Sequence, residues 1–311
     1  MAAEIHTVEL ENVTLSVTSE GSGPLVVLLH GFPDVGYTWR HQISALTEAG
    51  FRVIAPDMRG YGWSDTPKSV EAYNIMELVG DVIGLLDHEG AEDAIVIGHD
   101  WGAIIAPQVA LFRPDRVRAL ALLSVPYQVR TGVSIVDHLR ATDPEGPFSY
   151  MLAFQSEGVE DLFDADPLGS LRSMFWSTAG DRPENFERGD ETPAGLPPHL
   201  KEGEMENYFR AFARTGFAGG INYYRNLHRN WELTRPWHGA KLRLPTMFLA
   251  GSRDFVATTG DGRLGSDVAS MAEQTCADHR GSFIIEGGGH WVHQEYPETV
   301  NQHLVEFCQS I

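Results

Sequence analysis

The sequence predicts an α/β fold: a mostly parallel central sheet flanked by helices, with a helical cap (lid) inserted over the C-terminal ends of the strands. Three observations carry this expectation. Six short apolar runs recur along the 311 residues, each long enough for a strand and too short for a helix. Their hydrophobicity is continuous rather than alternating, as in strands buried on both faces. Helix-like stretches separate them, and such strand–helix alternation builds parallel sheets through right-handed crossovers.

Taken in order, Thr7 to Ser19 alternates apolar and polar residues and reads as an antiparallel hairpin on the sheet edge. The parallel strands are expected at Leu25 to Leu29, Val53 to Ala55, Ala94 to Ile97, Ala119 to Leu123, Met247 to Ala250 and Phe283 to Ile285. Helices are expected at Trp39 to Glu48, Asn74 to His88, Gly102 to Phe112, Gly265 to Gln274 and Pro297 to Cys308. The alternation is interrupted once, over residues 127–236. That stretch carries Phe148, Phe154, Phe175, Trp176, Phe209 and Phe212, a proline- and glycine-rich turn at Thr192 to Pro198, and helical periodicity, as in Glu204 to Arg214. An insertion at this point normally sits over the strand C-termini, where α/β sites lie. The expected division is a core of 1–126 and 237–311 and a cap of 127–236. An independent second domain is the alternative, and the βα pattern that resumes after the insertion speaks against it.

Composition narrows the function classes. Hydrophobic residues at 42% and charged residues at 21% give a globular rather than a disordered balance. With 43 acidic and 23 basic side chains the net charge is −20, a field that repels phosphate backbones and anionic lipid, so neither nucleic acid nor a membrane surface is an expected partner. Two cysteines, Cys276 and Cys308, cannot build a disulfide framework or a cysteine zinc site. No apolar run approaches the ~18 residues of a membrane helix. The first basic residue is Arg40, so no positive segment precedes Leu25 to Leu29 as in a secretory signal. A cytoplasmic location is the expectation.

The sharpest chemical signal is Gly98-His99-Asp100-Trp101-Gly102-Ala103, straight after one predicted strand and opening a helix. This is a G-x-nucleophile-x-G elbow, a strained turn that lifts its central side chain into the site, with small residues where strand and helix backbones crowd together. Alone, the pentapeptide reads equally as a helix N-cap; its strand-before, helix-after context favours the elbow. Pro107 breaks a local rule by lying inside the predicted helix. His30-Gly31-Phe32-Pro33 ends an earlier strand, and its loop supplies one oxyanion-hole N–H while the residue after the nucleophile supplies the other. Phe32 and Trp101 take these roles. Pro33 is expected to fix the turn, in a cis bond if one is needed, and His30 to be a buried hydrogen-bonding histidine. Gly287-Gly288-Gly289-His290 follows the last strand and makes His290 the candidate base, with His293 as decoy. Asp254, in Gly251-Ser252-Arg253-Asp254, is the candidate orienting acid, with Asp261 as rival.

The chain order Asp100, Asp254, His290 matches the nucleophile–acid–base order of α/β-hydrolases. The HGFP, GHDWGA, DMRGYGWSD (Asp57 to Asp65), GSRDFV and GGGHWVHQE segments together resemble that superfamily, and specifically the soluble epoxide hydrolases, from about Pro24 onward. The segments Phe148 to Gln155 and Asn222 to Asn226 resemble the stretches that carry the family's paired lid tyrosines. The resemblance implies that Tyr150 and Tyr224 are the pair, with Tyr223 facing elsewhere; packing aromatics of the lid are the alternative reading. It further implies that Asp34 and His99 fall where some relatives hold the hydrolytic water. The partners it implies are a small hydrophobic epoxide and water, without metal or other cofactor.

The residue types point to the same chemistry. A serine at the elbow needs a base before it attacks a carbonyl. An aspartate, with an ordinary pKa of ~3.9, is already ionised near neutrality and needs none. Its productive targets are saturated carbons bearing a leaving group, and the product is an alkyl ester of Asp100. His290, oriented by Asp254, is then free to activate water against that ester. Tyrosine keeps its proton near neutrality and can donate to a departing epoxide oxygen, whereas a halide needs only N–H donors. Haloalkane dehalogenases, the alternative, resemble this chain at Asp100-Trp101 but usually carry asparagine at the position of Phe32 or a second lid tryptophan. Haloacetate dehalogenases follow the nucleophile with arginine. A ligand-binding protein without turnover is the third reading. Lid aromatics left exposed would support a homodimer.

Overall fold

Eight strands form one sheet in the order β1-β2-β4-β3-β5-β6-β7-β8 in a computed structural model that describes residues 3–183, 192–258 and 264–311. The opening hairpin is β1 (Glu4–Glu9) and β2 (Thr14–Gly21), antiparallel, and β2 also pairs antiparallel with β4 (Arg52–Pro56). From β4 onward all pairings are parallel: β3 (Leu25–Leu29) lies between β4 and β5 (Ala94–His99), followed by β6 (Val117–Leu123), β7 (Leu242–Gly251) and β8 (Cys276–Ile285).

The two faces of the sheet bury different halves of the same strands, because successive side chains point to opposite sides. Val27, Leu29, Val96 and Leu122 pack under α2 (Ile75–His88) and α3 (Trp101–Phe112). Val26, Leu28, Ile97 and Leu249 pack under α1 (Arg40–Glu48) and the C-terminal helix Pro297–Gln309. Helix α2 starts where Asn74 accepts from the amides of Met76 (2.9 Å) and Glu77 (3.4 Å), which satisfies N–H groups that the first turn leaves unpaired. Pro107 lies inside α3 without ending it.

Two strands are longer than their apolar runs. β8 begins at Cys276 rather than Phe283, because it is the last strand of the sheet. With one neighbour only, its Ala277 to Ser282 portion is partly exposed and needs no continuous hydrophobicity. β7 begins at Leu242 rather than Met247, with an irregular register between Leu242 and Pro245.

Between β6 and β7 the described residues form α4 (Ile135–Thr142), α5 (Ser149–Ala153), α6 (Glu160–Asp164), α7 (Pro167–Thr178), α8 (Glu202–Thr215), α9 (Ala218–Arg225) and α10 (Leu227–Leu233). Phe154, Phe175 and Phe212 are buried in the core, Trp176 is buried, and Phe148 and Phe209 are half-buried; among the described residues of this segment the exposed large apolar side chains are Val133, Ile135, Leu162 and Leu168. After β7 come α11 (Phe255–Thr258) and α12 (Leu264–Thr275), and after β8 come α13 (Val292–Glu295) and α14, the helix Pro297–Gln309. Among the described residues no helix is long and apolar enough to cross a membrane.

Candidate active site

The loops after β3, β5, β7 and β8 converge at the C-terminal ends of the parallel strands, and each contributes one member of the site. Asp100 sits between β5 and α3 with φ 50° and ψ −116°, a conformation that L-residues rarely adopt. The crowding that holds it there explains two glycines. A Cβ on Gly102 would lie 1.9 Å from the Leu29 carbonyl oxygen, and one on Gly31 would lie 2.3 Å from Asp100 Oδ1. The missing side chain of Gly31 lets the next amide approach: Phe32 N–H donates to Asp100 Oδ1 at 2.9 Å. Burial pushes the Asp100 carboxyl above its ordinary range, while the positive field of His290 and hydrogen bonds from the Phe32 and Trp101 amides pull it back.

His290 is held from several sides. Its Nδ1 lies 3.1 Å from both carboxylate oxygens of Asp254, and its Nε2 lies 3.7 Å from Asp100 Oδ2. Asp254 is fully buried and also accepts from the Val256 amide at 2.9 Å, which turns the carboxylate toward the imidazole. Burial by itself would lower the His290 pKa. The charge and hydrogen bond of Asp254 and the charge of Asp100 outweigh it and raise the imidazole to about 9. The His290 carbonyl accepts from His99 Nε2 (2.7 Å) and Ser124 Oγ (3.0 Å), so backbone and ring are both fixed. Asp261, the rival acid, lies outside the described residues.

Both lid tyrosines reach the same space. A cavity of about 470 Å³ is lined by Asp100, His290, Phe32, Pro33, Tyr150 and Tyr224, with Phe154, Phe163 and Met174 from the lid. Tyr150 on α5 and Tyr224 on α9 meet edge to face, with ring centroids 5.7 Å apart. Gln155 ties the two segments together by donating from Nε2 to the carbonyls of Met151 and Tyr224, each at 2.9 Å. Burial, then the nearby Asp100 charge, holds the Tyr224 phenol well above its usual range, so it stays a donor. Tyr223 turns away and donates to the Arg59 carbonyl at 2.9 Å.

The supporting residues separate into two groups. His30 accepts from the Met58 amide at Nε2 and contacts the Gly31 carbonyl through Nδ1, both at 2.9 Å, and burial lowers it to about 4; it is a neutral structural histidine. Pro33 follows a cis peptide bond. Asp34 and His99 are joined by His293, which the sequence offered only as a decoy for the base. All three are buried, and their ligating atoms lie within 4.8 Å of one another. Asp34 Oδ2, His99 Nδ1 and His293 Nδ1 have no protein partner, which is unusual for buried polar atoms. Burial raises the Asp34 carboxyl to about 8 and lowers His99 and His293 well below the usual imidazole value, so the cluster is neutral near pH 7. These three, and the more exposed His6, His88 and Glu89, are the groups among the described residues with the spacing of cation ligands.

Sequence reasoning missed Glu295. Its Oε2 accepts from the amides of Gly180 and Gly289, each at 2.9 Å, and its Oε1 from Trp291 at 3.1 Å, pinning the loop that carries His290. The only signal was an acidic residue shortly after Gly287-Gly288-Gly289-His290, where solvated surface acids are equally common.

A sequence profile described as alpha/beta hydrolase fold matches residues 24–297. Epoxide hydrolase A of Mycobacterium tuberculosis is 40% identical over 98% of this chain and 97% of its own. The chain belongs to the epoxide hydrolase family of α/β hydrolases. Another relative of the hydrolase, epoxide hydrolase 2 of Siraitia grosvenorii, is 36% identical over 99% of this chain and 98% of its own. Among solved structures, epoxide hydrolase A from Mycobacterium thermoresistibile superposes with a TM-score of 0.89 at 42% identity, covering 99% of this chain and 98% of that one. An epoxide hydrolase mutant from Vigna radiata gives a TM-score of 0.92 at 34% identity, covering 99% of both chains. The hydrolase therefore shares its fold with these enzymes almost from end to end.

Proposed function

We propose that the hydrolase converts an epoxide to a vicinal diol in two steps through an alkyl ester on Asp100. The observation that carries this reading is the Phe32 amide on Asp100 Oδ1 at 2.9 Å, which leaves Oδ2 on the His290 side of a cavity that two tyrosines also line. A serine triad makes no use of such an anionic nucleophile, and a carboxylate makes a stable intermediate only with saturated carbon.

In the first step Asp100 Oδ2 forms a bond to an epoxide carbon as the ring C–O bond breaks. Tyr150 and Tyr224 hydrogen-bond the leaving oxygen, and one phenol gives it the proton that makes it a hydroxyl. The raised pKa of His290 keeps it cationic beside the attacking carboxylate. Esterification removes the Asp100 charge, one of the contributions that raise His290, so the imidazole passes its proton through solvent to the phenolate and becomes a base. In the second step His290 takes a proton from water, which attacks the ester carbon. The developing oxyanion on Oδ1 meets the Phe32 and Trp101 amides, and donors of this kind contribute about 10²–10³ in rate. The Cγ–Oδ2 bond breaks, the proton of the new carboxyl passes to Oδ2, the diol leaves with that oxygen, and the water oxygen restores the carboxylate. Asp34, His99 and His293, with three unpaired buried polar atoms, hold the attacking water, and Asp254 keeps His290 in the tautomer that faces it.

The test is His290→Gln protein incubated with styrene oxide, a fatty-acid epoxide and a small aliphatic epoxide. Intact mass should show one substrate equivalent added, mapped to Asp100. No adduct, with binding intact, overturns the ester route. Halide release from chloroalkanes that survives Tyr150→Phe and Tyr224→Phe would favour a dehalogenase instead.

A further inference from the structure

Helix α7 runs along the cavity, from Asp166 and the 74%-exposed Leu162 at the opening to Thr178, whose carbonyl accepts the His290 amide at 2.9 Å. At about 1.5 Å per residue the helix spans about 18 Å between these ends. One face, Leu171 and Phe175, is buried in the core. The face that lines the cavity presents Ser170, Ser173 and Ser177, one helical turn apart, with Met174 among them, and Phe154 and Phe163 line the same cavity. Ser177 and Ser170 donate to the carbonyls of Met174 and Phe163, each at 3.1 Å, which leaves their oxygen lone pairs directed to other donors. Ser173, half-buried between them, is a hydroxyl able both to donate and to accept. The cavity lining thus combines aromatic rings with a row of serine hydroxyls, and that row begins beside the catalytic base. An apolar chain alone gains nothing from that row, because hydroxyls it covers lose water without replacement.

We infer that the cavity is shaped for an elongated epoxide with an oxygen function, an ether or a hydroxyl, on the chain that leads from the oxirane to the opening. This rests on the epoxide reading above and names the substrate class of the same site. Ser177, whose proton is engaged by the Met174 carbonyl, serves as acceptor for a hydroxyl close to the ring, and Ser173 serves an ether or hydroxyl oxygen about 6 Å further out, the rise of four helical residues.

The probes are 1,2-epoxydecane and its oxa-analogues, in which a single ether oxygen replaces each chain CH₂ in turn, together with the corresponding hydroxy-epoxides. The readout is the ratio of kcat/KM for each oxygenated epoxide to that for 1,2-epoxydecane, in wild type and in Ser173→Ala and Ser177→Ala. A net hydrogen bond corresponds to about 3- to 10-fold. The ratio should therefore fall by about that factor in Ser173→Ala for an ether or hydroxyl at its position, and in Ser177→Ala for a hydroxyl nearer the ring. Ser173→Thr, which keeps a hydroxyl, should restore most of it. Ratios that do not respond to either alanine, or that fall equally at every oxygen position, overturn the inference while diol formation leaves the epoxide reading standing. No diol from any probe in wild type removes both.

Discussion

Tyr223 donates its hydroxyl to the backbone carbonyl of Arg59 at 2.9 Å, and this bond decides which way its neighbour Tyr224 faces. The two tyrosines are successive on α9, about 100° apart around the helix axis. Anchoring the first to the core aims the second at Asp100. Tyr223→Phe should then cost about 1 kcal/mol of stability for the lost hydrogen bond and lower the alkylation rate only indirectly. Tyr150→Phe/Tyr224→Phe together should slow alkylation by about 10²–10⁴, with stability little changed. Rapid-quench single-turnover assays beside thermal melts separate the two effects.

Arg59 itself is only 2% exposed and forms a bidentate pair with Asp81, Nε to Oδ2 at 2.6 Å and Nη2 to Oδ1 at 2.5 Å. Removing Asp81 leaves the buried guanidinium with only the longer pair to Glu77, at 3.5 Å. Asp81→Ala should therefore destabilise the fold by about 3–5 kcal/mol, read as a shift of the urea midpoint. A shift under 1 kcal/mol would mean the guanidinium finds other acceptors or water.

Asp254→Asn should lower the His290 pKa from about 9, because the largest contribution raising it disappears while burial, which lowers it, remains. NMR titration of His290 measures this directly. The same variant loses the carboxylate that orients the imidazole, so deacylation should slow by on the order of 10⁴ and ester should accumulate on Asp100.

If Asp100 is the nucleophile, its raised pKa should place the acidic limb of kcat/KM above the ordinary carboxylate range, since only an ionised carboxylate can attack. Asp34 bears on stability instead. Its folded-state pKa of about 8 lies above the unfolded value, so its contribution is full below about pH 4 and is lost as pH rises through about 8. Asp34→Asn cannot titrate. Its melting temperature should gain on that of wild type between pH 5 and about pH 8.5; a difference independent of pH would show that Asp34 is ionised throughout.

If water attacks Cγ of the ester, one turnover with enzyme in excess in H₂¹⁸O should place ¹⁸O in Asp100 and not in the diol. Peptide mass analysis reads the label. Label in the first diol formed would mean that water attacks the epoxide carbon directly.

Much of this site is legible in the sequence because its parts are local. The strand–Gly-x-Asp-x-Gly–helix order fixes Asp100, since few residues other than glycine tolerate the contacts at positions 98 and 102. Asp254 and His290 follow from standing directly after apolar strands. What depends on burial across the chain was not legible. His293 is remote in sequence from Asp34, yet their ligating atoms share one buried space. Glu295 looks like a surface acid until the loop folds over it. The run Cys276 to Ser282 lacks a strand pattern because an edge strand does not need one. Serine spacing on α7 signals a polar helix face, but only the packed lid shows that this face looks into a cavity.

The twisted backbone at Asp100 has a consequence for anyone improving this protein. Glycine would relax the φ of 50° and relieve a carboxylate of its cost of desolvation, so Asp100→Gly ought to melt later than the parent while making no product. A selection that rewards only heat resistance would discard the reactive group first, and turnover has to be screened alongside it.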